Sequence, residues 1–147
     1  MRRSVAITLF ACCMAGAQAQ SGDGLFEADS KANGQSKMDI VVKEVERRPR
    51  ASVIDIRISN IGSSVGSSFF LVCSIRSLAQ ERGGYRHVVK LEQTPKPGQM
   101  LIGFLKDAKE DPTNLGPEFK AAGATVIDME QFAPIGDASV CSANWLV

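Results

Sequence analysis

The sequence predicts an α+β fold: a mostly antiparallel sheet of about five strands, with one main helix over residues 66–82 packed on one face. Three observations carry this. Ile54, Ile56 and Ile58 alternate with Asp55, Arg57 and Ser59, the period-two pattern of a strand. Leu71, Val72, Ile75, Leu78, Ala79 and Arg82 recur at three- and four-residue intervals, the spacing of a helix face. Residues 85–92 and 99–106 then alternate on either side of Thr94-Pro95-Lys96-Pro97-Gly98, which reads as an antiparallel hairpin.

Taken in order, residues 1–19 read as a secretory signal. Arg2 and Arg3 supply the basic start, an apolar stretch too short to span a bilayer follows, and Ala17-Gln18-Ala19 is a small-x-small cleavage site. Leu9-Phe10-Ala11-Cys12 outlines a lipoprotein box, but Phe10 fits its second position poorly and few residues precede Cys12. Cleavage after Ala19 is therefore preferred to lipid anchoring at Cys12. The remainder of a twin-arginine motif is missing after Arg3. Residues 20–37, polar and rich in Gly and Ser, read as a flexible leader, and residues 38–147 as a single domain. No integral membrane segment is expected once the signal is gone.

Within the domain, residues 38–46 form a first strand, and Arg47-Arg48-Pro49-Arg50 a turn whose charges are expected in solvent. Residues 51–60 are the alternating strand, with one wet face. Residues 69–73 would also suit a buried strand, which keeps a hairpin turning on Gly83 and Gly84 as the alternative to the helix. The helix is preferred because Ser63, Ser64 and Ser67 offer caps, residues 78–82 are good helix formers, and Gly83 suits the left-handed position after the end. Ser74, Ser77, Gln80 and Glu81 fall on its outer side. Residues 107–123 read as loop with one short helix over 117–122, and residues 125–132 as a last strand.

The exported chain keeps two cysteines, Cys73 and Cys141, which predicts one disulfide. It would close a loop of about 69 residues, worth about 4 kcal/mol in the chain-entropy view. At about 100° per residue, Cys73 falls beside Phe69, so the bridge is expected to strap the tail across the outer side of the helix.

A strand, a serine-rich turn, a helix ending in Ala-x-Glu-Arg-Gly (Ala79 to Gly83) and an aromatic-led strand resemble small uncharacterised envelope lipoproteins of proteobacteria over residues 54–92. The resemblance implies an envelope location and supports the helix; it carries no catalytic residues.

Charge excludes some partners. The whole chain is +1, and without Arg2 and Arg3 fifteen basic residues face sixteen acidic ones. That balance offers no polybasic surface for nucleic acid or anionic lipid.

Gly62-Ser63-Ser64-Val65-Gly66 matches the Gly-x-Ser-x-Gly of a hydrolase elbow and follows a strand. A serine nucleophile needs a base, and His87 is the one histidine. Only Glu81 lies between the two as a carboxylate. A helix between them would hold Ser64 and His87 roughly 15 Å apart, against about 3 Å for a hydrogen bond. The motif therefore reads as a turn and helix start.

His87 reads as a histidine at the core edge. Arg86 and Lys90, on the other face of that strand, could receive an acidic partner, although a solvated face is preferred. Asp107, Glu110 and Asp111 lack the glycine and terminal Glu of a calcium loop. Asp128 and Glu130 would sit side by side on one strand rather than flank a substrate. No cofactor or metal is expected.

The functional expectation is thus an exported, non-enzymatic module, periplasmic or secreted, that binds another protein or a cell-wall component. A small serine or carboxylate hydrolase, and a secreted inhibitor of a foreign enzyme presenting loop 94–98 or 107–117, are the alternatives. Oligomeric state is left open.

Overall fold

The structure, a computed structural model, describes residues 24–32, 37–120 and 124–135. The expected signal peptide, Cys12 and Cys141 lie outside the described residues. The chain forms one antiparallel sheet and one α-helix, an α+β fold as expected. Strands β1 (Glu27–Asp29), β2 (Asp39–Arg48), β3 (Ala51–Asn60), β4 (His87–Glu92), β5 (Gln99–Leu105) and β6 (Thr125–Asp128) lie in the order β1-β2-β3-β5-β4-β6. Helix α1 spans Ser64–Glu81, between β3 and β4. Six strands stand where about five were expected. The addition is β1, which pairs Glu27, Ala28 and Asp29 with Lys43, Val42 and Val41, inside what the sequence offered as a flexible leader. Phe26, buried in the core, anchors it.

Helix α1 begins two residues earlier than expected because Ser63 caps it: its Oγ accepts the Gly66 N–H at 3.0 Å. It ends where the glycines allow. Gly83 and Gly84 have φ of 134° and 74°, and the Gly84 N–H returns to the Ala79 carbonyl at 3.1 Å.

The buried side of α1 carries Gly66, Phe70, Cys73, Ser74, Ile75, Leu78 and Ala79. This corrects the expected stripe at two positions. Ser74, assigned to the outer side, is buried and donates its hydroxyl to the Phe70 carbonyl at 2.7 Å. That bond satisfies the hydroxyl inside the helix and lets a serine face the core. Cys73, also expected outside, is 4% exposed. The expected disulfide is not shown, since Cys141 falls outside the described residues.

Two apolar clusters sandwich the middle of the sheet. On the helix side Ile40, Val42, Ile54, Val88, Met100, Ile102 and Phe104 meet Phe70, Ile75 and Leu78. On the other side Ala51, Val53, Val89, Leu91 and Leu101 are covered by Leu115 and Phe119, from two 3-10 turns at Pro112–Leu115 and Pro117–Lys120. These turns replace the short helix expected over residues 117–122. The last strand likewise stops at Asp128, and a 3-10 turn runs over Met129–Ile135.

The second layer explains why period-two reasoning was incomplete. Every residue of β5 is buried, Leu101 and Leu105 as well as Met100, Ile102 and Phe104. In β3 the first four residues are buried on both faces and the last four are exposed. The expected wet face of β3 is therefore a wet end: β5 pairs only Ala51 to Asp55.

Gly103 on β5 is the seat of this second layer. A Cβ there would come within 2.5 Å of Leu115 Cδ1 and 2.8 Å of Phe119 Cζ. Gly103→Ala is expected to lower the unfolding free energy by about 1–3 kcal/mol through overpacking. Urea denaturation checks this, and an unchanged midpoint would show that Leu115 and Phe119 move aside freely.

Candidate functional site

Strand β2 turns from an apolar stripe to a charged one, and a bulge decides where the charges go. Ile40, Val42 and Glu44 face the helix; Glu44 pairs with Ile54, and the next pair is Glu46 with Val53. Val45 is the extra residue. Because paired residues share a face, the shift places Arg47, opposite Ser52, on the same face as Glu44. Without it, residues three apart on a strand would point to opposite sides.

The result is a buried junction. Glu44 is fully buried, and its Oε1 accepts from Ser52 Oγ at 2.6 Å, Arg47 Nε at 3.0 Å and Arg82 Nη1 at 3.2 Å. Its Oε2 accepts from Arg47 Nη2 at 2.5 Å and from the Phe26 N–H at 3.1 Å. Arg82, at the C-cap of α1 with 7% of its side chain exposed, also donates to Ser52 Oγ, the Ala51 carbonyl and the Arg48 carbonyl. Its guanidinium carbon lies 5.1 Å from the centre of the Phe104 ring, which stacks on Tyr85 with centroids 5.3 Å apart.

Burial works to raise the Glu44 pKa, but hydrogen bonds from Arg47, Ser52 and the Phe26 N–H outweigh it and hold the carboxyl below its usual value. Burial draws Arg82 down, against the pull of Glu44. Every oxygen and donor named here has a protein partner, so the junction serves to fasten elements together.

The other arginines expected in solvent are also engaged. Arg48 bonds Glu46 at 2.7 Å and Glu118 at 2.9 Å, while Arg50 grips Glu110 at 2.7 and 2.6 Å. The acidic stretch is thereby divided: Glu110 binds Arg50 and the Lys106 N–H, Asp111 accepts the Thr113 N–H, and Asp107 accepts the Lys109 N–H. Among the described residues no group of three or more His, Cys, Asp or Glu is placed to hold a metal ion.

Arg86 and Lys90 have partners within the chain. Arg86 makes a two-pronged pair with Asp128 at 2.9 and 2.7 Å, and Lys90 bonds Glu92 at 2.6 Å. The pairing of β4 with β6 sets His87 opposite Asp128, with Nε2 4.0 Å from Oδ2. Glu130 is not on that strand; its N–H caps Asp128 Oδ1 at 3.0 Å. Arg86, His87 and Asp128 therefore meet, and Ser64 does not join them. Ser64 opens α1 on one face of the sheet. His87 follows the far end of the helix and shares the register of Val89 and Leu91, which line the other face.

The guanidinium of Arg50 holds Glu110 at a pKa of about 2, and Arg86 does the same for Asp128. Both values are depressed on folding. Their contribution to stability is complete above the unfolded values near 4.5 and 3.8 and is lost as pH falls through about 2. Both carboxylates are therefore expected to stay ionised at pH 3, read by side-chain carboxyl carbon shifts in an NMR titration. A midpoint near 4 for either would show that its arginine pair does not persist in solution.

No family model, no curated protein and no solved structure matches the chain. What can meet a partner must therefore be read from the surface. Of the exposed large apolar residues, Ile58, Ile61 and Val65 stand within eight residues of one another, where β3 passes into α1. They are 51%, 50% and 63% exposed. Sequence reasoning by periodicity missed them because it assigned Ile58 to a buried face. One signal was available: residues 58–75 contain no charged side chain, in a chain that is 22% charged. The start of α1 thus carries an apolar corner, bordered by the exposed Arg57 and by Asp39 opposite Asn60, while arginine–carboxylate pairs gather near the C-terminal end of the helix. No helix among the described residues is long and apolar enough to cross a membrane.

Proposed function

We propose that this chain is an exported, non-enzymatic binding module of the cell envelope, periplasmic or secreted, with its leader cleaved after Ala19 and Cys73 bridged to Cys141. Its partner is another protein or a cell-wall component, met by the corner of Ile58, Ile61 and Val65. One observation carries this reading: three large apolar side chains within eight residues of one another stay exposed where β3 passes into α1, in a run of eighteen residues, 58–75, without a charge. Exposed apolar surface costs free energy in water and is recovered when a partner covers it. The chemistry-bearing residues weigh the same way, since Arg86, Lys90, Glu110 and Asp128 are spent on partners inside the chain.

The test uses the full exported chain as bait in envelope extract. Val65→Asp adds a carboxylate in the first turn of α1, where the helix end favours negative charge, so the fold is retained. Capture is expected to fall at least about tenfold with Val65→Asp and to persist with Lys109→Asp, exposed in the loop that Arg50 holds at the opposite end of β3. Equal capture by both variants would remove the corner from the binding surface. A fluorophosphonate probe that labels the wild type and not Ser64→Ala would instead favour the hydrolase alternative. Intact mass of the exported protein reads both the cleavage site and the disulfide.

A further inference from the structure

The Glu44 carboxylate is shared by two elements that also contribute to one apolar cluster, Phe26 from one and Phe70, Ile75 and Leu78 from the other. On one side it holds Arg82, at the end of α1. On the other it accepts the Phe26 N–H, at the head of β1. Strand β1 is the slightest element of the sheet, three residues long and on its edge. The segment is held at two points. At its head, Phe26 sits in the core, Glu44 Oε2 takes its N–H, and its carbonyl takes the Glu44 N–H at 2.8 Å. At its tail the buried Ser30 hydroxyl accepts the Ile40 N–H at 2.9 Å and donates to the Met38 carbonyl at 3.1 Å. Between these points the side chains of Glu27 and Asp29 are exposed, and the ion pairs of Lys43 with Glu27 and Lys31 with Asp39 lie on the surface. Exposed pairs hold little. The central strands, by contrast, are buried on both faces and paired on both sides.

We propose that the segment of residues 24–32 is a strap that leaves the sheet edge without unfolding the domain, and that Glu44 is its latch, coupling the docked strap to the C-terminal end of α1. Opening it breaks few hydrogen bonds and withdraws one aromatic side chain. The price of leaving the β2 edge bare is small, because water reaches the freed Ile40 and Glu44 backbone groups. Coupling follows from sharing. With the strap docked, the Phe26 N–H helps orient the carboxylate that Arg82 grips, and loosening Arg82 in turn frees the carboxylate from the strap. Linkage of this kind is reciprocal.

Native-state hydrogen exchange on the full chain tests both parts. In the wild type the amides of Phe26, Ser30 and Glu44 are expected to exchange at least about tenfold faster than those of β4 and β5, as in a local opening. Equal rates would overturn the strap. Ser30→Ala, which touches only the tail clasp, should speed those three amides by a further factor of about ten while β4 and β5 stay unchanged. It should also shift the Arg82 Nε–H resonance, which a strap independent of the helix would leave in place. Arg82→Lys supplies the reverse arm. A larger increase at Phe26 and Glu44 than in β4 and β5 supports the coupling. A uniform increase would mean that Arg82 only stabilises the whole domain, and would overturn it.

Discussion

Arg82→Ala is expected to be among the most destabilising single changes in the described part of the chain, costing about 3–5 kcal/mol in urea denaturation. The physical reason is what remains behind. Glu44 is fully buried and keeps its charge because three side chains and one backbone N–H bond it. Removing Arg82 takes away the most deeply buried cation of the group and strands the Ala51 and Arg48 carbonyls it also serves. Glu44 keeps Arg47, Ser52 and the Phe26 N–H but loses the most buried of its cations, and each buried acceptor left without its donor carries a desolvation cost. Arg47→Ala is expected to cost less, about 1–3 kcal/mol: it removes three bonds to the buried carboxylate, but at a side chain 36% exposed water can take part of its place. The double change Glu44→Met with Arg82→Met should recover much of the Arg82→Ala loss, because it removes both charges together. A loss below about 1 kcal/mol for Arg82→Ala would mean that the junction is open to water.

The second large effect belongs to Phe104→Ala, expected to cost about 3–5 kcal/mol. The ring is fully buried near the C-terminal end of β5, beside Val88 of β4, stacked on Tyr85 and lying under the Arg82 guanidinium. Both faces of the sheet are covered there, so the cavity has no route to collapse without moving α1. Phe104 and Arg82 should also be coupled. The double variant is expected to cost less than the sum of the single ones by about 0.5–2 kcal/mol, the worth of a desolvated cation over a ring. Strict additivity would show that the contact between guanidinium and ring contributes nothing.

Much of the architecture was legible in local pattern. The helix was readable from its spacing, its serine caps and its terminal glycines, and the hairpin of β4 and β5 from alternation around a Pro-Gly turn. What was misread has a common cause. Period and propensity describe one chain segment against water, and here a second layer changes the solvent. Leu115 and Phe119 arrive from a stretch read as loop with one short helix, and they bury the face of β5 that alternation alone left unassigned. Ser74 and Cys73 were set outside because one is polar and the other lies off the stripe of large aliphatics. The helix packs on a wider arc than that stripe, and the i−4 carbonyl satisfies the serine. Strand β1 was hidden because three residues are too few for any period to register; only the edge of β2 makes them a strand.

The candidate surfaces divide in the same way. The placing of Ser64 at the start of the helix and His87 beyond its end followed from the helix reading. The neutral run over residues 58–75 was present in the sequence as a simple lack of charge, overlooked because a buried helix face and an exposed corner can share that composition. The junction at Glu44 was not readable at all. Nothing in Glu44-Val45-Glu46-Arg47 says that Val45 is skipped by the partner strand, and that single slip turns Arg47 toward Glu44 and the end of the helix.

By itself, then, the order of residues determined the main helix, to within two residues at its ends, and the succession of strands from β2 to β6, because each depends on neighbours within a turn or two of backbone. Only the tertiary structure decided which carboxylate is buried, which arginines are spent inside the molecule and which apolar side chains are left in water. Those outcomes depend on strand register and on a second layer, and contacts between residues thirty to seventy positions apart leave no local trace in the chain.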